Sequence, residues 1–552
     1  MSDPLAPRTR WWGWGDGSGD AHALPPAAES LLASELGLEG ERTPAAPLEE
    51  MRLPDPELPE ALRSDLAGIV GAEHVRDDRL GRVSHALGKS YSDLIRLRSG
   101  DASSAPDAVV YPQDHDEVAA VLDACAAARV AVTPYGGGTS VVGGVEPLRE
   151  GFAAAISLDL ARMDRLTGSD LRSLTATFGP GVTGPRAEAA LAARGLTLGH
   201  FPQSFEYATI GGFVATRSAG QASTGYGRID ELVRGLRCAT PAGELSTRVL
   251  PASAAGPSLR ELVVGSEGIL GVITEATLAV RPVPEARRYE GWSFRSFEEG
   301  CEAFRAMEQG HVAPDVARLS DEHETRVTLS LASSGSTAER VGKAYLRLRG
   351  HEGGCLAILG WEGPSKEVEA RRSASARVAR SHGGLPLGER PGQAWLRGRY
   401  AGPYLRDELL DRGVLVETLE TAATWTALPG LYAAVGDALR AALASRGTPP
   451  IVMCHVSHLY GSGASLYFTA IARRETGDAT LDQWGAAKRA ASDAIIEAGG
   501  TITHHHAVGA DHAPWMEGEV GTLGLEVLAA AKERLDPAGI MNPGKLLPRG
   551  RG

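Results

Sequence analysis

The stretch Pro134-Tyr135-Gly136-Gly137-Gly138-Thr139-Ser140 constrains the fold of this 552-residue chain more than any other. It follows the short run Val130 to Thr133, which is rich in β-branched residues, so a strand ends and the chain turns at once. Three glycines let backbone N–H groups approach an anion without interference from Cβ atoms, and Thr139 and Ser140 add hydroxyl donors. The pattern suits a pyrophosphate. It is not a Rossmann fingerprint, because Val141 stands where the third glycine is needed, and it lacks the Gly-Lys-Ser/Thr ending of a Walker A loop. Taken alone, the loop is equally an ordinary Gly-rich turn.

Composition narrows the class. With 69 acidic and 56 basic residues the net charge is −13, which argues against nucleic acid or an anionic membrane as a general partner and leaves any anionic substrate to local arginines. Cys125, Cys238, Cys301, Cys355 and Cys454 form no CxxC pair, so neither a disulfide framework nor a zinc site is expected and a reducing cytoplasm fits. No apolar run has the length of a membrane span, and the sequence reads as soluble.

Four regions follow from the texture of the chain. Residues 1–103 form an N-terminal segment with helices and a Trp-rich motif, Trp11-Trp12-Gly13-Trp14, expected to dock onto the body of the protein or onto a partner subunit. Residues 104–284 open with a βαβ-like pattern, in which Asp114 and Glu117 have capping-box spacing before an apolar helical face. Two further Gly-containing stretches follow, around Gly211-Gly212 and Gly265 to Gly271, and small residues recurring in three segments suggest one extended ligand touched by backbone from several sides. Residues 285–500 alternate amphipathic helices with strands and form a second α+β domain. Residues 501–552 carry a histidine triplet, His504-His505-His506, and a helix, and are expected to return to the first domain.

The first loop, the segment Gln203-Ser204-Phe205-Glu206-Tyr207-Ala208-Thr209 with Gly211 and Gly212, and the segment Glu267-Gly268-Ile269-Leu270-Gly271-Val272-Ile273 together resemble the FAD domain of the vanillyl-alcohol oxidase (PCMH) type. That resemblance implies an α+β chain built from a two-part FAD-binding domain, a substrate or cap domain and a helical C-terminal segment. It gives the first loop to the FAD pyrophosphate. The other two segments, with Thr216, Arg217, Ser218 and Ala219, go to adenine, ribose and isoalloxazine. The loop has no histidine, so the flavin is expected to be non-covalent.

Within that fold, Trp12 to Gly15, Tyr404-Leu405-Arg406-Asp407, Ala464 to Phe468 and Thr503 to Gly509 resemble the alkyldihydroxyacetonephosphate synthases. The resemblance implies a transferase that replaces the fatty acid of acyl-dihydroxyacetone phosphate with a long-chain alcohol, giving an ether lipid precursor. In that reaction a proton leaves the dihydroxyacetone carbon, flavin N5 traps the carbon, carboxylate departs and the alcohol adds. Its implied partners are those two lipids, met in the cytoplasm with peripheral contact to a bilayer, and its implied assembly is a homodimer.

Arg406 and Arg318 are the expected substrate contacts, since a guanidinium fork matches a phosphate. Beside Asp407, Arg406 reads equally as half of a surface ion pair. Tyr467 is the expected acid/base, competent once its surroundings lower its pKa, and His504, His505 and His506 could supply those surroundings. In an extended segment His505 would point away from His504 and His506, so the triplet is expected to move protons and to bind no metal. The second reading is an FAD-dependent D-2-hydroxy-acid (lactate or glycolate) oxidoreductase, whose ending the tail Asp536 to Lys545, with Asn542-Pro543-Gly544-Lys545, resembles; in it Cys454-His455-Val456-Ser457-His458 would supply a histidine near the substrate, although no Gly-Asp-Gly-Asn follows.

Overall fold

The computed structural model describes residues 5–17, 24, 26–38, 40, 42–332 and 336–548. Three sheets organise it. The first has strands Val75–Arg76, Ala108–Val110, Ala155–Asp159 and Ala131–Tyr135 in that order, with the last three parallel. Its parallel pairs need a crossover, and helix His115–Ala128 supplies one, with Asp114 capping its start by accepting from the Glu117 N–H. Val118, Val121, Leu122 and Cys125 are the buried face of this helix, as the 3.6-residue spacing requires.

The second sheet is antiparallel, in the order Leu166–Asp170, Thr175–Phe178, Val272–Ala279, Val233–Thr240, Gly243–Ser246. Helices Gly184–Ala192 and Ile210–Ala215 contribute to the core over it. The third sheet has seven antiparallel strands in the order Leu385–Gly388, Ala286–Phe294, Cys355–Gly363, Val316–Ser320, Ile451–Tyr460, Gly463–Arg473, Val414–Thr424. Helices Phe297–Gln309, Ser365–Ser381, Leu428–Ala444 and Ala479–Glu497 share its largest apolar core. With one face covered, alternate residues of each strand are left to face elsewhere. On Gly463–Arg473, Leu466 and Phe468 are buried in the core while Tyr467 faces away from it, as alternation predicts.

The chain does not end in the domain it last visited. Helix Met516–Leu535, kinked at Gly521, leads back to the first sheet. There the Val132 N–H donates to Ile540 O and the Asn542 N–H donates to Val132 O, both at 2.8 Å. Residues 540–542 therefore lie against the strand that enters the Gly-rich loop. At the other end, Trp14 is only 2% exposed, and its N–H donates to the Asp407 carboxylate. The Lys89 ammonium donates to the carbonyls of Arg10 and Trp11 and the Arg98 guanidinium to that of Trp12, so the Trp-rich motif docks onto the body of the same chain. Among the described residues no helix is long and apolar enough to cross a membrane.

Candidate active site

The Gly-rich loop leaves strand Ala131–Tyr135 and packs closely against residues 207–209. A Cβ at Gly137 would collide with the Tyr207 carbonyl and one at Gly136 with the Thr209 hydroxyl, while Gly138 has φ +64°, a conformation side chains resist. The backbone N–H groups of Gly136 to Ser140 are not spent on other described residues. A run of unspent donors in a half-buried cradle fits a pyrophosphate. Thr209 caps helix Ile210–Ala215, and its hydroxyl accepts from the Gly212 N–H. From the third segment, Glu267 is buried with φ +51°, and the Asn542 side-chain amide donates to its carbonyl at 2.6 Å and to that of Gly144 at 3.1 Å. The three predicted cofactor segments are thus contiguous and are clasped by the C-terminal tail.

The histidine triplet is held by a carboxylate that sequence reading did not single out. Glu420, fully buried on strand Val414–Thr424, accepts from the Thr503 hydroxyl and from the backbone N–H groups of His504, His505 (3.1 Å) and His506 (2.8 Å). Two residues on, the Glu267 carboxylate accepts from the N–H groups of Val508 (2.8 Å) and Gly509 (2.7 Å). The loop 503–509 is thus suspended between the seven-stranded sheet and the third cofactor segment. The two carboxylates differ electrically. Burial pushes Glu267 up to about 7 against its two N–H donors. Burial also works against the charge of Glu420, but pairing with the three imidazoles in their protonated form, together with the Thr503 hydroxyl, outweighs it and holds the carboxyl well below the usual range.

Residues 504–506 are bends, not a strand, so the expected alternation of side chains fails. His504 Nδ1 and His505 Nδ1 lie 2.9 Å apart. With His458 from strand Ile451–Tyr460 they bring ring nitrogens within 4.8 Å of one another, a grouping that could hold a metal ion. The geometric reason for excluding metal therefore does not hold. His504 Nε2 is 2.6 Å from the hydroxyl of Tyr460, to which Arg228 also bonds. Burial lowers the pKa of all four imidazoles, well below its ordinary value for His458 and His504 and to about 3 for His506, so at neutral pH they are bases.

Tyr467 stands among these rings, with centroids 4.9 Å from His455, 6.0 Å from His505 and 5.4 Å from His506. Its pKa is raised, by burial first, and Glu420 adds to the rise against a hydrogen bond to Thr418 and the field of Arg406. This corrects the expectation that the histidines would acidify it: neutral imidazoles supply no positive field. Tyr467 is therefore a proton donor at neutral pH, and the bases are the histidines.

Arg406, on helix Gly402–Leu410, donates from Nη1 to the Lys89 carbonyl at 2.7 Å. Asp407 is occupied by the Trp14 N–H and by Arg10, 3.7 Å away, so the surface-pair reading of Arg406 fails, and among the described residues no carboxylate lies within ion-pair distance of it. Its Nε is buried without a partner, which suits an arriving anion. Arg318 is differently placed. It donates at 2.9 Å to Glu324 and to His455 Nε2, and His455 lies face to face with Tyr467.

Two outcomes are expected. Gly137→Ala should lose the flavin, read as loss of yellow absorbance, with about 1–3 kcal/mol of destabilisation from overpacking. Glu420→Ala should strand four donors and cost about 3–5 kcal/mol. Hydrogen exchange should then show the amides of residues 504–506 opening far more often than those of the core helices.

Residues 106–247 match the family described as FAD binding domain, and residues 283–546 match the C-terminal domain of FAD linked oxidases. Alkyldihydroxyacetonephosphate synthase from Dictyostelium discoideum is 33% identical over 99% of this chain and 94% of its own length. A solved alkyldihydroxyacetonephosphate synthase superposes with a TM-score of 0.84 at 31% identity, covering 98% of this chain and 99% of that one. The 4-ethylphenol oxidase from Gulosibacter chungangensis, at 16% identity with a TM-score of 0.66 over 90% of this chain and 99% of that one, shares the fold alone. With the glycine cradle, the suspended histidines and a match along its whole length, the chain belongs to the alkyldihydroxyacetonephosphate synthase family of FAD-binding proteins.

Proposed function

We propose that this protein exchanges the acyl group of acyl-dihydroxyacetone phosphate for a long-chain alcohol, forming the ether bond of a lipid precursor. The observation that carries the reading is the joint placement of an arginine with no carboxylate partner and a cluster of neutral imidazoles around one phenol. FAD, held without a covalent bond, would supply an electrophilic ring nitrogen able to accept the substrate carbon.

The chain's own residues have separable tasks. Arg406 binds the phosphate, fixing the reacting carbon relative to the imidazoles. His505 or His506 takes the proton from that carbon, since both are held unprotonated. Tyr467, held protonated, donates a hydrogen bond to oxygen on the substrate or leaving group. Glu420 keeps its charge and lies 3.4 Å from His505 Nδ1, where it stabilises the imidazolium formed when His505 gains a proton. Arg318 and Glu324 orient His455 against the Tyr467 ring.

The same reading includes a cytoplasmic homodimer that meets its lipids at a bilayer surface. Helix Thr337–Leu348 supports the surface contact, since Val341, Tyr345 and Leu348 fall on one face and are all exposed. Leu348→Asp should reduce cosedimentation with phosphatidylcholine vesicles severalfold, and unchanged binding would remove that contact from the reading.

The reaction is tested with acyl-dihydroxyacetone phosphate and a labelled fatty alcohol. Labelled ether should form, and rapid dye reduction by D-lactate instead would select the oxidoreductase reading. Tyr467→Phe and His505→Ala should each lower turnover by about 10²–10⁴-fold with the flavin spectrum intact. Arg406→Ala should raise KM for the phosphorylated substrate about tenfold to a hundredfold, as expected for a lost charge-assisted contact.

A further inference from the structure

We infer that Lys89 is a positioning residue for the substrate phosphate: it closes a ring of hydrogen bonds that holds Arg406 in register with the glycine cradle. The inference rests on the phosphate role proposed above for Arg406 and concerns what keeps that guanidinium aimed. A planar fork of donors grips a phosphate only along set directions, and a long side chain that must be ordered on binding gives up affinity. Arg406 also sits on helix Gly402–Leu410, while the cradle leaves strand Ala131–Tyr135, so something must tie the two together.

Lys89 lies in the turn between helices Arg79–Ser84 and Tyr91–Arg98 and is 3% exposed. Its three polar groups go to three parts of the chain. The backbone N–H donates to the carbonyl of Ser140, the last residue of the cradle, at 2.6 Å. The backbone carbonyl accepts from Arg406 Nη1 at 2.7 Å, and the ammonium donates to the carbonyls of Arg10 (2.6 Å) and Trp11 (3.3 Å). The turn has little room to shift. A Cβ on Gly88 would stand 2.6 Å from the Ser140 carbonyl oxygen, and Ser90 opens the next helix with a capping box to Asp93.

From the ammonium the bonds return to Arg406 by a second way. The Arg10 guanidinium donates to the Trp14 carbonyl from Nε (3.0 Å) and Nη2 (2.6 Å), the Trp14 N–H donates to the Asp407 carboxylate, and Asp407 is the neighbour of Arg406 on the same helix. A Cβ on Gly13 would collide with that carboxylate, so the tail lies flush against the helix. Arg406 is braced directly by the Lys89 backbone and indirectly by its side chain. This gives a use to a costly feature, since a buried ammonium ordinarily demands a carboxylate and among the described residues none lies within ion-pair distance of Lys89. Lys89 touches no reacting group and acts through Arg406.

The test uses flavin-loaded full-length protein. Lys89→Met keeps an apolar stem and both backbone bonds and removes the ammonium. It should raise KM for acyl-dihydroxyacetone phosphate, and Kd for dihydroxyacetone phosphate read from the flavin absorbance, by about tenfold, the cost of ordering one long side chain on binding. KM for the fatty alcohol and the flavin content should stay unchanged. Lys89→Arg, which can donate to the same carbonyls, should recover most of the loss. Arg10→Met opens the ring at another bond and should act in the same direction. In the Arg406→Ala background Lys89→Met should raise neither constant further, because the brace then holds nothing. Unchanged constants in Lys89→Met, or in Arg10→Met where Lys89→Met does not fold, would overturn the inference alone, as would an equal rise in the Arg406→Ala background. If the unmutated protein binds dihydroxyacetone phosphate and makes no ether, the reaction assignment falls while Kd still decides the brace. If it does not bind that phosphate, Arg406 loses its role and the inference falls with it.

Discussion

Everything at this site depends on two buried carboxylates gripping one loop. Glu420 and Glu267 together accept five backbone N–H groups from the segment 503–509, with the Thr503 hydroxyl as a sixth donor. Loops seldom enter a protein interior because their backbone groups must be satisfied there. Here carboxyl groups do it from two directions, one on the seven-stranded sheet and one on the cofactor segment. Without both, three imidazoles so close together would have no reason to stay in the interior.

The same grip explains the electrostatic character of the site. Desolvation drives the imidazoles neutral, and the one strongly ionised group among them is already saturated with donors. A phenol placed there gains no acidity. The result is a cluster of bases around a single donor, with positive charge arriving from Arg406 on a separate helix. Asp407, next in sequence, accepts from the N-terminal tryptophan segment, and Arg406 lies within ion-pair distance of no carboxylate among the described residues.

Features with a local period were legible in the sequence. The Asp114 cap, the glycine cradle and the outward face of Tyr467 follow from spacings of a few residues. Family resemblance supplied the order of the three cofactor segments and the importance of the triplet. Glu420, Tyr460 and Arg228 escaped because each is a single residue whose partner lies far along the chain, and His458 was named for the oxidoreductase reading and not for the triplet it joins. A signal existed for Glu420: Glu417 and Glu420 are the two charged residues of strand Val414–Thr424, and three positions apart they fall on opposite faces, yet both are buried, at 5% and 1% exposure. Glu417 finds Lys488 and the Trp484 indole, while Glu420 finds backbone. The triplet's own geometry was misjudged because bends obey no two-residue alternation.

The tail pairing at Val132 bears on how the molecule comes into being. The strand that leads into the glycine cradle is made early, yet the groups that close its outer edge, Ile540 to Asn542, lie far along the chain and emerge from the ribosome long after it. Until then the nascent chain carries an open, apolar β-edge, the kind that recruits strands from other molecules. The segment 540–542 thus acts as an intramolecular edge guard, and a message truncated before it would yield a chain prone to aggregation before any question of catalysis arises.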